Sequence, residues 1–118
     1  MVSRDFRKMA KVAARAADDK KAVEVLLLDI REESDVADYM VVAEAQSSAQ
    51  MNALSESVEE ALGDLGLKVL HREGRPRNQW IVLDFGGLVV HLLLTQARQF
   101  YRLESLWEKA KLVRWEAR

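Results

Sequence analysis

The sequence predicts an α/β fold: a single domain with a mixed β-sheet of about five strands and helices packed mainly on one face. Three observations carry this reading. Apolar runs too short for buried helices alternate with longer stretches in which apolar residues recur every three or four positions. A Gly86-Gly87 dipeptide separates two of the short runs, as in a tight hairpin. The chain has 118 residues and 49% apolar content, enough for one core and too little for two, so residues 1–118 are read as one domain.

Ser3 is the candidate cap of a first helix whose apolar stripe is Phe6, Ala10, Ala13, Ala14 and Ala17. Residues 22–30, "AVEVLLLDI", read as a covered strand, "REESDVAD" as a polar connection and residues 39–44, "YMVVAE", as a second strand. Ser47 or Ser48 caps a helix carrying Met51, Leu54, Val58, Leu62 and Leu65, which Gly66 stops in a left-handed conformation. Leu67 to Leu70 reads as a brief strand, followed by the basic loop "HREGRPRNQ". Trp80–Phe85 and Leu88–Leu94 then pair antiparallel across the two glycines. From Gln96 onward a last helix places Phe100, Leu103, Leu106, Trp107 and Ala110 on a core-facing side, with Tyr101, Glu104 and Glu108 on the adjoining one.

A two-residue turn sets the hairpin register. Leu83 faces Val90, Val82 faces His91 and Trp80 faces Leu93. Alternation then puts Ile81, Leu83, Phe85, Leu88, Val90 and Leu92 on one apolar face, the seat for the helices. Trp80, Val82, Asp84, Val89, His91 and Leu93 form the other, which mixes an aromatic ring, a carboxylate and an imidazole and suits solvent or a partner. Asp84 and His91 lie diagonally across the pair, close enough to interact. The apolar part of this face suggests that the free protein covers it as a homodimer.

Composition removes several kinds of chemistry. With no cysteine there are no disulfides, thiolate metal sites or thiol nucleophiles, and only His71 and His91 offer imidazole, so neither a metal nor a cofactor is expected. No apolar run approaches the roughly 20 residues that span a bilayer, and the amino terminus is too charged to open a signal peptide; a cytoplasmic protein without membrane contact is expected. Eighteen Lys and Arg against nineteen Asp and Glu leave a formal charge of −1, so nucleic-acid contact is local or indirect. Arg72, Arg75 and Arg77 around Pro76 are the candidates for direct RNA contact, although no aromatic alternates with them to stack bases. Asp35 and Asp38 are spaced wrongly for two metal-binding carboxylates on one strand face, and no Gly-Ser phosphate loop precedes them. An Asp84–His91 hydrolytic pair has no identifiable serine nucleophile on its face. No catalytic residue is assigned and no enzyme is expected.

Several stretches in order carry a resemblance: "ADYMVVAEAQSS" (37–48), "EG" (73–74), "WIVLDFG" (80–86), "VVH" (89–91) and "ARQFYRLESLW" (97–107). Together, from about Val25 to Trp107, they resemble the Iojap family, the bacterial ribosomal silencing factors. The chain departs from that pattern at Ala45-Gln46, at Ala49-Gln50 and at Gly87, where family members commonly carry Gly-Thr, Arg-His and Asp.

The resemblance implies a nucleotidyltransferase-like fold without its catalytic motif. It further implies binding to the large ribosomal subunit through its fourteenth protein, obstruction of small-subunit joining, and repression of translation when nutrients are scarce. Trp80, Asp84, His91, Arg98, Tyr101, Glu104 and Trp107 match family motifs and are the residues carried over as the partner-binding set.

Overall fold

The computed structural model describes residues 5–75, 79–100 and 110–116. Its elements are α1 (Phe6–Asp19), β1 (Val25–Asp29), β2 (Tyr39–Ala45), α2 (Ser48–Gly63), β3 (His71–Arg75), β4 (Trp80–Asp84), β5 (Leu88–Leu94), α3 (Thr95–Phe100) and β6 (Lys111–Leu112). The six strands form one mixed sheet in the order β3-β4-β5-β2-β1-β6. Only β2 and β5 run parallel, in register from Tyr39 opposite Leu88 to Ala45 opposite Leu94. All other neighbours are antiparallel.

Helices α1 and α2 cover one face of the sheet. Ala10, Ala13, Ala14 and Ala17 are fully buried there, and their small side chains let α1 sit close to Leu27, Val41 and Val90. Met51, Leu54, Val58 and Leu62 of α2 join the same core, together with Ile81, Leu83, Phe85, Leu88 and Leu92. A smaller cluster lies on the opposite face, where Leu28, Met40, Val42 and Leu93 pack with Ala97 of α3.

Several boundaries differ from the sequence reading. The cap of α1 is Asp5, whose Oδ1 accepts from the Lys8 amide at 3.1 Å; Ser3 lies outside the described residues. Strand β1 starts at Val25, because Ala22 is still bonded to the end of α1. Leu65 lies beyond α2 and is exposed, in the turn that Gly66 completes at φ +82°. Residues 67–70 are not a strand. The strand is His71–Arg75, within the supposed basic loop, and it pairs with β4 from His71 opposite Asp84 to Arg75 opposite Trp80. Gly74 permits this at φ +85°, where a Cβ would run into the Trp80 carbonyl.

Two of the chain's unusual residues have clear local roles. Ser47 caps α2 by accepting from the Gln50 amide at 3.1 Å, while Gln50 Oε1 accepts from the Gln46 amide at 2.7 Å. Gln50 Nε2 also donates to the carbonyls of Lys20 and Lys21, so this side chain ties the end of α1 to the start of α2. Gly87 is needed for space: a Cβ there would enter the ring of Phe6 on α1. In the turn it is Gly86 that takes positive φ, at +96°.

The short strand β6 was not foreseen. Lys111 and Leu112 pair with Asp29 and Leu28, and Val113 and Trp115 continue inward to the helix-side core. Trp115 is only 8% exposed, its indole Nε1 donates to the Val25 carbonyl at 3.3 Å, and its own carbonyl accepts from Arg15 Nε at 3.0 Å. This tail covers the outer edge of β1, which would otherwise present unpaired backbone. Trp115→Ala is predicted to cost about 3 kcal/mol, as for other large-to-small truncations in a core. The check is the midpoint of urea unfolding; an unchanged midpoint would show that the tail contributes nothing to the sheet.

Candidate partner-binding face

Strands β4 and β5 pair as the Gly-Gly turn requires, with Trp80 opposite Leu93, Val82 opposite His91 and Asp84 opposite Val89. Pleating sends Ile81 and Leu83 into the helix-side core and leaves Trp80, Val82 and Asp84 half-buried on the other face. On β5 Val89 and His91 share that face and are half-buried, whereas Leu93 is fully buried beneath α3 and the second cluster. The face is thus open along the hairpin and closed towards β2.

The polar groups of this face are paired differently from expectation. Asp84 and His91 do not bond to each other. Asp84 Oδ1 accepts from the Gly86 amide at 2.8 Å and so fastens the hairpin turn. His91 Nδ1 accepts from the Trp80 indole N–H at 3.1 Å, with ring centroids 5.9 Å apart and planes inclined at 47°. That bond requires the neutral ring to carry its proton on Nε2. Burial pushes the His91 pKa down to about 4, since the charged ring would lose its hydration with no carboxylate in return.

Beside this pair a cavity of about 350 Å³ is lined by Glu73, Gly74, Trp80 and Val82. It is an open depression, and beside it Gly74 lets β3 close against the backbone of Trp80. Sequence reasoning found Trp80 but missed Glu73 and Gly74 as its neighbours. The signal was present in the glycine following Glu73, a residue type that marks bulges and close backbone approach inside strands.

The other assigned residues are dispersed. Arg98 lies on α3, which is held at its start by Thr95 Oγ1 donating to Glu44 Oε2 at 2.9 Å. Tyr101, Glu104 and Trp107 lie outside the described residues, as does Arg77. Arg75 ends β3. Arg72 is no free loop cation: its Nη2 pairs with Glu59 and donates to Ser55 Oγ at 3.2 Å, locking the edge strand to α2. Asp35 and Asp38 are exposed in the connection before β2, and the Asp38 amide donates to the Gly87 carbonyl. Among the described residues no helix is long and apolar enough to cross a membrane.

The architecture is a small two-layered α/β domain: a mixed sheet with helices on one face and the Trp80–His91 pair on the other, beside the edge hairpin. The chain belongs to a known family of this kind: residues 3–118 match the family described as "Ribosomal silencing factor during starvation". It is 35% identical over 106 residues to the ribosomal silencing factor of Bacillus subtilis, covering 90% of both chains. It is 34% identical over 97 residues to the chloroplastic protein Iojap of Zea mays, covering 82% of this chain and 42% of that one. A crystal structure of a protein from Chromobacterium violaceum superposes with a TM-score of 0.83 at 29% identity, over 94% of each chain.

The depressed His91 pKa has a consequence for stability. The unfolded chain takes up a proton near the ordinary value of 6.5 and the folded chain only near 4, so acid favours unfolding. Stability attributable to His91 is therefore complete above about pH 6.5 and is lost progressively down to about pH 4. Melting curves of wild type and His91→Asn across this window are predicted to converge as pH falls, because the variant lacks the titration. Parallel curves would show that His91 is not buried neutral.

Proposed function

We propose that the protein binds the large ribosomal subunit in the cytoplasm, through its fourteenth protein, and there blocks joining of the small subunit, repressing translation under nutrient limitation. The observation that carries this reading is the match to ribosomal silencing factors over nearly the whole chain. The face around Trp80 and His91 supports it, because that face combines a large ring with a recess and polar groups already satisfied within the protein.

The action is steric and needs no chemical step on this chain. With extents of 40 × 32 × 28 Å and a radius of gyration of 13.0 Å, the domain is large enough to stand between two subunits as a wedge. Its size matches the roughly 13–14 Å radius that chain length alone predicts. Inhibition then reduces to occupancy, and occupancy to affinity for one protein surface. Away from the ribosome the same face pairs two copies of the chain.

Purified small and large subunits mixed with excess protein are predicted to form fewer joined ribosomes in a sucrose gradient, while ribosomes already joined stay intact. Unchanged association at saturating protein would end this reading. Val82→Glu puts an unpaired charge into the docking recess without altering a core position, and is predicted to weaken comigration with the large subunit about tenfold or more. Truncating Trp80 tests the same face less cleanly, since its ring also packs on the second cluster and its loss would lower stability.

A further inference from the structure

One polar atom of the Trp80–His91 face is left over once the internal bonds of that face are made. His91 Nδ1 accepts from the Trp80 indole at 3.1 Å, so the neutral ring carries its proton on Nε2 and can only donate there. Among the described residues nothing accepts from that N–H. The same residues contain no buried side-chain nitrogen or oxygen without a partner, so Nε2 reaches the surface.

The surroundings of this donor are aliphatic. Strand register puts Val82 of β4 and Val42 of β2 on either side of His91, and Val89 and Leu93 are its same-face neighbours along β5. Val42 and Leu93 are buried, whereas Val82 and Val89 are half-buried. The carboxylates around the ring are engaged elsewhere: Asp84 Oδ1 by the Gly86 amide, Glu73 Oε1 by His71 Nε2 at 2.9 Å, and Glu44 Oε2 by the Thr95 hydroxyl. A surface laid over this face therefore meets one unmatched donor inside a ring of valines and leucine. Covering it without supplying an acceptor would bury an unpaired N–H, which weakens a complex.

The chemistry of the site favours a neutral acceptor. A carboxylate brought here would give up its hydration among aliphatic side chains, and it would approach Glu73 and Asp84, which share this side of the sheet. Burial pushes the His91 pKa down to about 4, so the ring also resists the second proton that would neutralise such a carboxylate. A carbonyl oxygen meets neither obstacle.

We propose that the His91 Nε2–H is the polar specificity contact of this face, and that the partner protein presents a neutral carbonyl oxygen to it. The proposal rests on the reading that the face docks on a protein of the large subunit. It separates partners by whether they place an acceptor at this one point, since an apolar surface of equal shape would leave the donor unmatched.

The test compares binding of the whole protein to isolated large subunits for wild type, His91→Leu, His91→Gln and Val82→Glu, each checked for folding by its melting curve. His91→Leu deletes the donor and is expected to weaken binding about tenfold. A glutamine can accept from Trp80 through its oxygen and donate outward through its amide, so His91→Gln is expected to stay within about threefold of wild type. If His91→Leu bound as wild type does while Val82→Glu did not, the proposal would be overturned and the docking face would stand. A His91→Gln variant as weak as His91→Leu would show that the partner reads the ring and not the donor, and would overturn it too. Normal binding by both His91→Leu and Val82→Glu would remove the face itself as the docking surface, and failure of the wild type to bind would remove the large-subunit reading. Nitrogen-15 spectra of the imidazole in complex with the purified fourteenth protein need no variant. They are expected to show Nε2 protonated and protected from exchange, with Nδ1 bare. An Nε2 proton that exchanges as freely as in the uncomplexed protein would overturn the contact, and two protonated ring nitrogens would reveal a carboxylate and overturn the neutral acceptor.

Discussion

The parallel pairing of β2 with β5 is the constraint on which the rest of the structure depends. Parallel neighbours cannot be joined by a tight turn; the chain must leave the sheet and return. Here it leaves through α2 and comes back only after building the β3–β4 hairpin at the edge of the sheet. The central position of β2 also demands burial on both sides, which "YMVVAEA" supplies: Val41 and Ala43 enter the helix-side core while Met40 and Val42 enter the opposite cluster. Strand β4 then returns antiparallel beside β5, and this places Trp80 next to His91 on the half-open face. The half-open face around Trp80 is thus a product of the crossover.

The close seating of α1 follows from the same centre. Its alanines bring the helix backbone down onto β1 and β2, and Phe6 reaches the tip of the β4–β5 hairpin, where only a glycine leaves room for its ring. Arg15 can consequently bond to the backbone of the carboxyl-terminal segment, which is itself held to β1 through Val113 and Trp115. Packing by small side chains is what converts a local sequence stripe into a surface shared by three elements.

The parts legible in the sequence are those where pattern and burial agree. The hairpin from Trp80 to Leu94 could be read to the register because its turn is two glycines and both strands alternate cleanly. The edge strand β3 could not: "HREGR" has no apolar alternation, since an edge strand with both sides near solvent gains protection from charge and has little core to face. Strand β6 escaped notice because two residues of pairing leave no period, although Val113 and Trp115 alternate with exposed neighbours just beyond it. At the site, the shared face of Trp80 and His91 followed from pleating. Their hydrogen bond did not, because charge favoured Asp84 as the imidazole's partner. Geometry decides otherwise: the turn supplies Asp84 with an amide two residues away, and the carboxylate is taken before it can reach across.

This internal satisfaction determines what the face proposed for docking can offer. With the indole N–H given to a neutral imidazole, Trp80 presents ring rather than donor, and a partner gains apolar contact there without having to supply a hydrogen bond. The cations of α1 lie towards the other edge of the sheet, on the helix-covered side. Counting strands from β4 to β6 at about 4.8 Å each puts the two regions roughly 19 Å apart across the sheet, before the offset between faces is added. On the steric action proposed above, a fixed orientation of the domain matters as much as its affinity.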